Sequence, residues 1–151
     1  MTTLDRLTAD LTTSMKARDA FRTNTLRQII AAVRTEETAG SAKRELTEEE
    51  ILKVLAREVK KRRESVQIYT DAGASDRAKT EADEAELIET YLPTRLTAAE
   101  LETLVDAVIA DLGASSMKDM GGVMKEATAR ADGRADGGAL SALVKSRLAG
   151  A

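Results

Sequence analysis

Apolar residues recur at helical spacing along most of the chain. Leu4, Leu7, Leu11 and Met15 make one stripe, and the spacing predicts a first helix over about 3–18. Leu26, Ile29, Ile30 and Val33 predict a second over about 22–37. A polar segment, 38–46, follows with Gly40 and Ser41 and has the composition of a loop. The third helix is the longest, reaching about residue 71, and Ile51, Leu52, Leu55, Val59, Val66 and Tyr69 fall on one arc of it. A fourth carries Ala78, Ala82, Ala85, Ile88 and Leu92. The fifth buries Leu101, Leu104, Val105, Val108, Ile109 and Leu112. In the sixth, over about 116–131, the arc is Met117, Met120, Val123, Met124 and Ala127. A seventh carries Leu140, Leu143, Val144 and Leu148, and no segment alternates with the period of a strand.

Local chemistry marks where these helices begin and end. Thr47-x-x-Glu50 and Thr97-x-x-Glu100 are capping boxes, in which the two side chains satisfy orphan N–H groups. Ser75, Ser116 and Asp136 are placed to start the fourth, sixth and seventh helices, while Gly73, Gly113 and Gly133 are placed to stop the helices before them. Pro93 is the only proline. It lacks an N–H and biases Leu92 towards an extended conformation, so the fourth helix should end there. The expected architecture is all-α: an N-terminal four-helix domain with one long helix (1–93), then a C-terminal three-helix domain (94–151).

Composition narrows the function. Alanine accounts for 26 of the 151 residues, whereas Leu, Ile, Val and Phe together number 31, so the cores must be thin. There is no Cys, His or Trp, and Phe21, Tyr69 and Tyr91 are the only aromatics. That removes disulfides, thiolate nucleophiles, ordinary zinc sites and Ser-His-Asp or Cys-His catalysis. It also removes the aromatic sheet platforms on which RNA bases stack. No apolar run is long enough to span a bilayer and no signal peptide precedes the first helix, so a soluble, cytoplasmic protein is expected, with no membrane association. A net charge of −3 means that nucleic acid could be met only by local patches.

Two such patches stand out. On the long helix Lys53, Arg57, Lys60 and Lys61 lie opposite the apolar arc, either as a phosphate-binding stripe or as a salt-bridged face with Glu49, Glu50 and Glu64. From Gly113 onward six basic residues face four acidic ones. There Gly121-Gly122 interrupts a helical pattern beside Lys118 and Lys125, a face that a phosphate backbone or a neighbouring helix could approach. Arg134, before the seventh helix, could add a weak anion site at its positive end, with Lys145 beyond. Arg62 lies within the apolar arc of the long helix and calls for a carboxylate from the fourth, which offers Glu81, Asp83, Glu84, Glu86 and Glu89; the alternative is a guanidinium snorkelling to water. The Ser65/Lys61 and Ser141/Lys145 pairs lack an oxyanion hole, and no nucleotide-binding loop occurs, so no catalytic residue, metal or cofactor is expected.

Three stretches carry a family resemblance: Lys60-Lys61-Arg62-Arg63-Glu64-Ser65; Tyr91-Leu92-Pro93 with Leu96-Thr97 and Glu100-Leu101; and Asp119-Met120-Gly121-x-Val123-Met124-Lys125 with Gly133-Arg134-Ala135-Asp136, Leu143-Val144-Lys145 and Leu148. In that order they resemble the YqeY family. Its C-terminal part is similar to the tail domain of the GatB subunit of the glutamine-dependent aspartyl/glutamyl-tRNA amidotransferase. The chain departs from the family around Ala74 and Arg77, and at Gly122, where a Lys is often found. The resemblance implies a helical protein of two parts that associates with tRNA, with Lys118, Gly121, Lys125, Arg134 and Lys145 as contacts. The leading expectation under that resemblance is a bacterial, non-catalytic tRNA-binding adaptor, alone or with a tRNA-handling enzyme or other protein. The alternatives are a protein–protein interaction module and an accessory subunit of a carbon–nitrogen ligase using glutamine as amido donor.

Overall fold

A computed structural model describes residues 1–150. Among them the regular structure is entirely helical: α1 (Thr3–Lys16), α2 (Ala20–Glu37), α3 (Glu48–Asp71), α4 (Ser75–Glu89), α5 (Ala98–Leu112), a 3-10 turn (Met117–Asp119), α6 (Met120–Ala131) and α7 (Gly137–Ala149). The chain divides into two compact units, Met1–Leu92 and Pro93–Ala151.

In the N-terminal unit α1 pairs with α2 and α3 with α4. Leu7, Leu26, Ile29, Val33, Ile51, Val54, Leu55, Val59, Ala85, Ile88 and Tyr91 make its core. Capping fixes where the helices start. Thr47 accepts from the Glu50 N–H at 3.2 Å, and the Glu50 carboxylate accepts from the Thr47 N–H at 2.9 Å. The N-terminus of α1 is sealed from another helix, where the Thr3 N–H and hydroxyl both donate to the Glu48 carboxylate.

The C-terminal unit is α5, the 3-10 turn, α6 and α7 around Val105, Val108, Val123, Ala127, Leu140, Val144 and Leu148. Thr97 and Glu100 cap α5 reciprocally. Gly113 ends it at φ 62°, a left-handed conformation that glycine adopts without a Cβ penalty. The Asp136 carboxylate accepts from the Ala139 N–H at 3.0 Å and starts α7.

Several expectations shift at helix ends. Met15, Leu112 and Met117, assigned to apolar arcs, are 49%, 50% and 42% exposed. Each lies at or near a helix terminus, where periodicity persists in sequence but the side chain is left half-exposed. Ser14 is buried instead, hydrogen-bonded to Thr23 at 2.9 Å. Arg18 leaves α1 at φ 58° to turn the chain into α2, whose first turn is capped by Asp19. Ser75 is the first residue of α4, not its cap, and Ala74 in the cap position offers no side-chain acceptor. Leu92 lies beyond the end of α4 at Glu89. The sixth segment opens as a 3-10 turn because the Asp119 carboxylate bends back to accept the N–H groups of Ser115 and Ser116.

Candidate functional site

The C-terminal unit separates its charges by helix. α5 carries Glu100, Glu102, Asp106 and Asp111 and no cation. The arginines of α6 and α7 reach back to it. Arg130 pairs with Asp111 at 2.8 Å and with Glu126 on its own helix at 2.9 Å. Both contacts hold its guanidinium further towards the charged form than usual. Arg147 pairs with Asp106 at 2.9 Å and Glu102 at 3.6 Å. Arg134, expected at an anion site, is engaged as a clamp: its Nε donates to the Thr94 carbonyl at 2.7 Å, and its own carbonyl accepts from the Leu96 N–H at 2.8 Å. Glu100 lies 3.8 Å from the same guanidinium. The Asp136 carboxylate already caps the adjacent N-terminus of α7, which sets a negative charge where an anion would sit.

The lysines behave differently. Lys118 on the 3-10 turn, Lys125 on α6 and Lys145 on α7 are all exposed, and none makes an ion pair among the described residues. Lys118 and Lys125 bracket Gly121 and Gly122, which are also exposed. A Cβ built on either glycine would meet nothing within 4 Å. The expected alternative of a neighbouring helix packed on this face is therefore not realised among the described residues of this unit. Lys125 and Arg130 lie about 140° apart around α6, and Lys145 and Arg147 about 200° apart around α7. Since both arginines point to α5, the lysines fall on the sides of α6 and α7 turned away from it.

On α3 the basic stripe is exposed but largely occupied. Lys53 pairs with Glu49 at 3.2 Å, Arg57 with Glu36 of α2 at 3.0 Å, and Lys61 with Glu58 at 4.0 Å. Lys60 alone of the four makes no ion pair among the described residues. Arg62 is buried, its side chain 7% exposed. It donates to Glu84 of α4 at 3.0 Å, to Glu58 at 3.1 Å and to Gln28 of α2 at 2.7 Å, joining three helices. The interhelical partner anticipated from α4 is present, and the snorkelling alternative is not adopted.

One cluster gave no signal in the pattern. The Tyr91 hydroxyl donates to Asp10 of α1, the Arg22 guanidinium lies 3.4 Å from that hydroxyl, and Arg6 stands over the ring at 5.2 Å. Burial, reinforced by the hydrogen bond to Asp10, pushes the phenol up to about 12. Asp10, Arg22 and Tyr91 lie far apart in sequence, and no spacing rule links them.

Two relatives match part of the chain. A protein of Meyerozyma guilliermondii named "Altered inheritance of mitochondria protein 41, mitochondrial" is 36% identical over 90 residues, which are 60% of this chain and 46% of that protein. The protein of the same name from Clavispora lusitaniae is 31% identical over 99 residues, 66% of this chain and 56% of its own length. The chain thus spans about half the length of these relatives. Their mitochondrial names lend no support to the expected bacterial, cytoplasmic setting. Among the described residues no helix is long and apolar enough to cross a membrane. The family model for Yqey-like proteins matches residues 4–148, nearly the full length, and the chain belongs to the YqeY family.

Proposed function

We propose that this protein is a non-catalytic tRNA-binding adaptor that meets RNA phosphates through Lys118, Lys125 and Lys145, with the bare backbone at Gly121 between the first two. The observation that carries the reading is the division of cations in the C-terminal unit. Arg130, Arg134 and Arg147 are held by acceptors of the same unit, while these three lysines are exposed and make no ion pair among the described residues. A cation already paired in the free protein gains little from a phosphate, because it exchanges one anion for another; an unpaired one gains the full contact and releases a counterion. The resemblance of this unit to the GatB tail supports the choice of tRNA. Arg134 then acts by holding the segment before α5, and the α3 stripe stands as a secondary surface in which Lys60 is the available member.

Three phosphate contacts predict a log–log salt slope of about −2 to −3. A tRNA titration at three salt concentrations, with an unstructured RNA of equal length as control, tests this. The Lys118→Glu/Lys125→Glu variant should lose most of the affinity at unchanged helicity. Salt-insensitive binding, or a variant that binds as tightly as the parent, would sink the reading. A protein–protein role is the second reading, favoured by the half-exposed Leu112 at the end of α5 and Met117 at the start of the 3-10 turn. It predicts a partner whose binding barely responds to salt.

A further inference from the structure

We infer that the lysine-bearing side of α6 and α7 takes a double-helical, A-form stretch of RNA through its backbone, not an unpaired stretch through its bases. The inference rests on the tRNA-binding reading and names the part of the RNA concerned. Single-stranded RNA is recognised chiefly by splaying its bases and stacking them on aromatic rings or guanidinium planes. From Pro93 to Ala151 there is no Phe, Tyr or Trp. The guanidinium planes of Arg130 and Arg147 are held on α5 carboxylates, and that of Arg134 on the Thr94 carbonyl. Arg95 is the one arginine of the unit outside such contacts, and it lies before α5, not on α6 or α7. What α6, its preceding turn and α7 do offer is ammonium groups, point charges suited to phosphates and indifferent to base identity.

The spacing fits a groove. Lys118 and Lys125 are seven residues apart on a nearly continuous helical run, roughly 10–11 Å along the axis. Between them the surface has no side-chain bulk at Gly121 and Gly122. Neither glycine has a left-handed φ, and neither would clash as alanine, so the fold itself does not require glycine there. The minor groove of A-form RNA is wide and shallow and presents 2′-hydroxyls between its two phosphate rims. A helix with a bare centre and a cation on either side can lie against such a surface.

The test is fluorescence anisotropy of the full chain with four labelled probes: tRNA, an RNA duplex of about 16 base pairs, the DNA duplex of the same sequence, and one RNA strand alone. The RNA duplex should bind nearly as tightly as tRNA, with the DNA duplex and the single strand about tenfold weaker, the equivalent of ~1.4 kcal/mol. Gly121→Leu/Gly122→Leu should weaken the RNA duplex to a similar degree without lowering the melting temperature, since the added side chains meet no part of the fold. Binding of tRNA without binding of the duplex, or equal binding of the single strand or of DNA, overturns the inference and leaves the adaptor reading standing. Failure of every RNA at low salt removes the adaptor reading itself.

Discussion

Gly121 and Gly122 show how far a single residue can be read. The sequence marks them as costly, because glycine in a helix loses about 1 kcal/mol relative to alanine. Two explanations are open at that level, a packed helix and the close approach of a phosphate backbone. The empty space around both Cβ positions removes the first among the described residues of the C-terminal unit. Gly121→Ala/Gly122→Ala should therefore raise stability by about 1 kcal/mol, less than the full interior value because both sit in the first turn. A rise in the thermal midpoint checks it, and a fall would mean that the backbone there needs glycine after all. Arg62 makes the opposite case. Arg62→Met leaves Glu84, Glu58 and Gln28 without their shared donor, so a loss of about 3–5 kcal/mol is expected. Adding Glu84→Leu should recover part of it, since unpaired buried charge is the larger cost; urea midpoints of the two variants give the comparison. Glu50 gives a pH prediction. Its bond to Arg44, then its backbone bond to Thr47, pull the carboxyl down to about 2 from an ordinary 4.5. The stabilising contribution is complete above about pH 4.5 and fades as the pH falls towards 2. Glu50→Gln should therefore lower the urea midpoint more at pH 6 than at pH 2.5. An equal effect at both would show that the contacts do not depend on charge.

At the scale of elements the sequence is most legible where the signal is local. Both Thr-x-x-Glu capping boxes and the glycine stop of α5 are realised, because each involves groups within a few residues of one another. Helix interiors follow the apolar stripes for the same reason: a 3.6-residue period sets one face against whatever partner arrives. Ends are less legible. Met15, Leu112 and Met117 continue a stripe past the point where another helix covers it. Ala74 in place of Ser75 at the α4 cap and the 3-10 opening before α6 depend on backbone angles that periodicity does not encode. Arg62 falls between these cases. Its need for a carboxylate on α4 follows from its place on the arc, but selecting Glu84 from five candidates, and adding Gln28 from α2, takes the packed geometry.

At the scale of the molecule, each unit has its own apolar core. A cavity in one should leave the other intact. Val108→Ala removes two buried carbons and should cost the C-terminal unit about 2 kcal/mol. Calorimetry of the full chain should then show one transition moved down and one unchanged; a single transition shifting as a whole would show that the units unfold together. The proposed RNA-binding surface is also a property at this scale. Lys118, Gly121 and Lys125 share a face by spacing alone, but that the two lysines make no ion pair among the described residues was not readable, because Arg130, Arg134 and Arg147 look equally available in sequence.

By itself the sequence determined the helical class, the order of the helices, most apolar positions and the family, all of which rest on short-range patterns or on motif order. Only the tertiary structure decided which cations are spent on intramolecular partners and which stay unpaired among the described residues. Ion pairing depends on which helices become neighbours, and helix neighbours are chosen by the packing of whole faces, not by any residue's place in the chain.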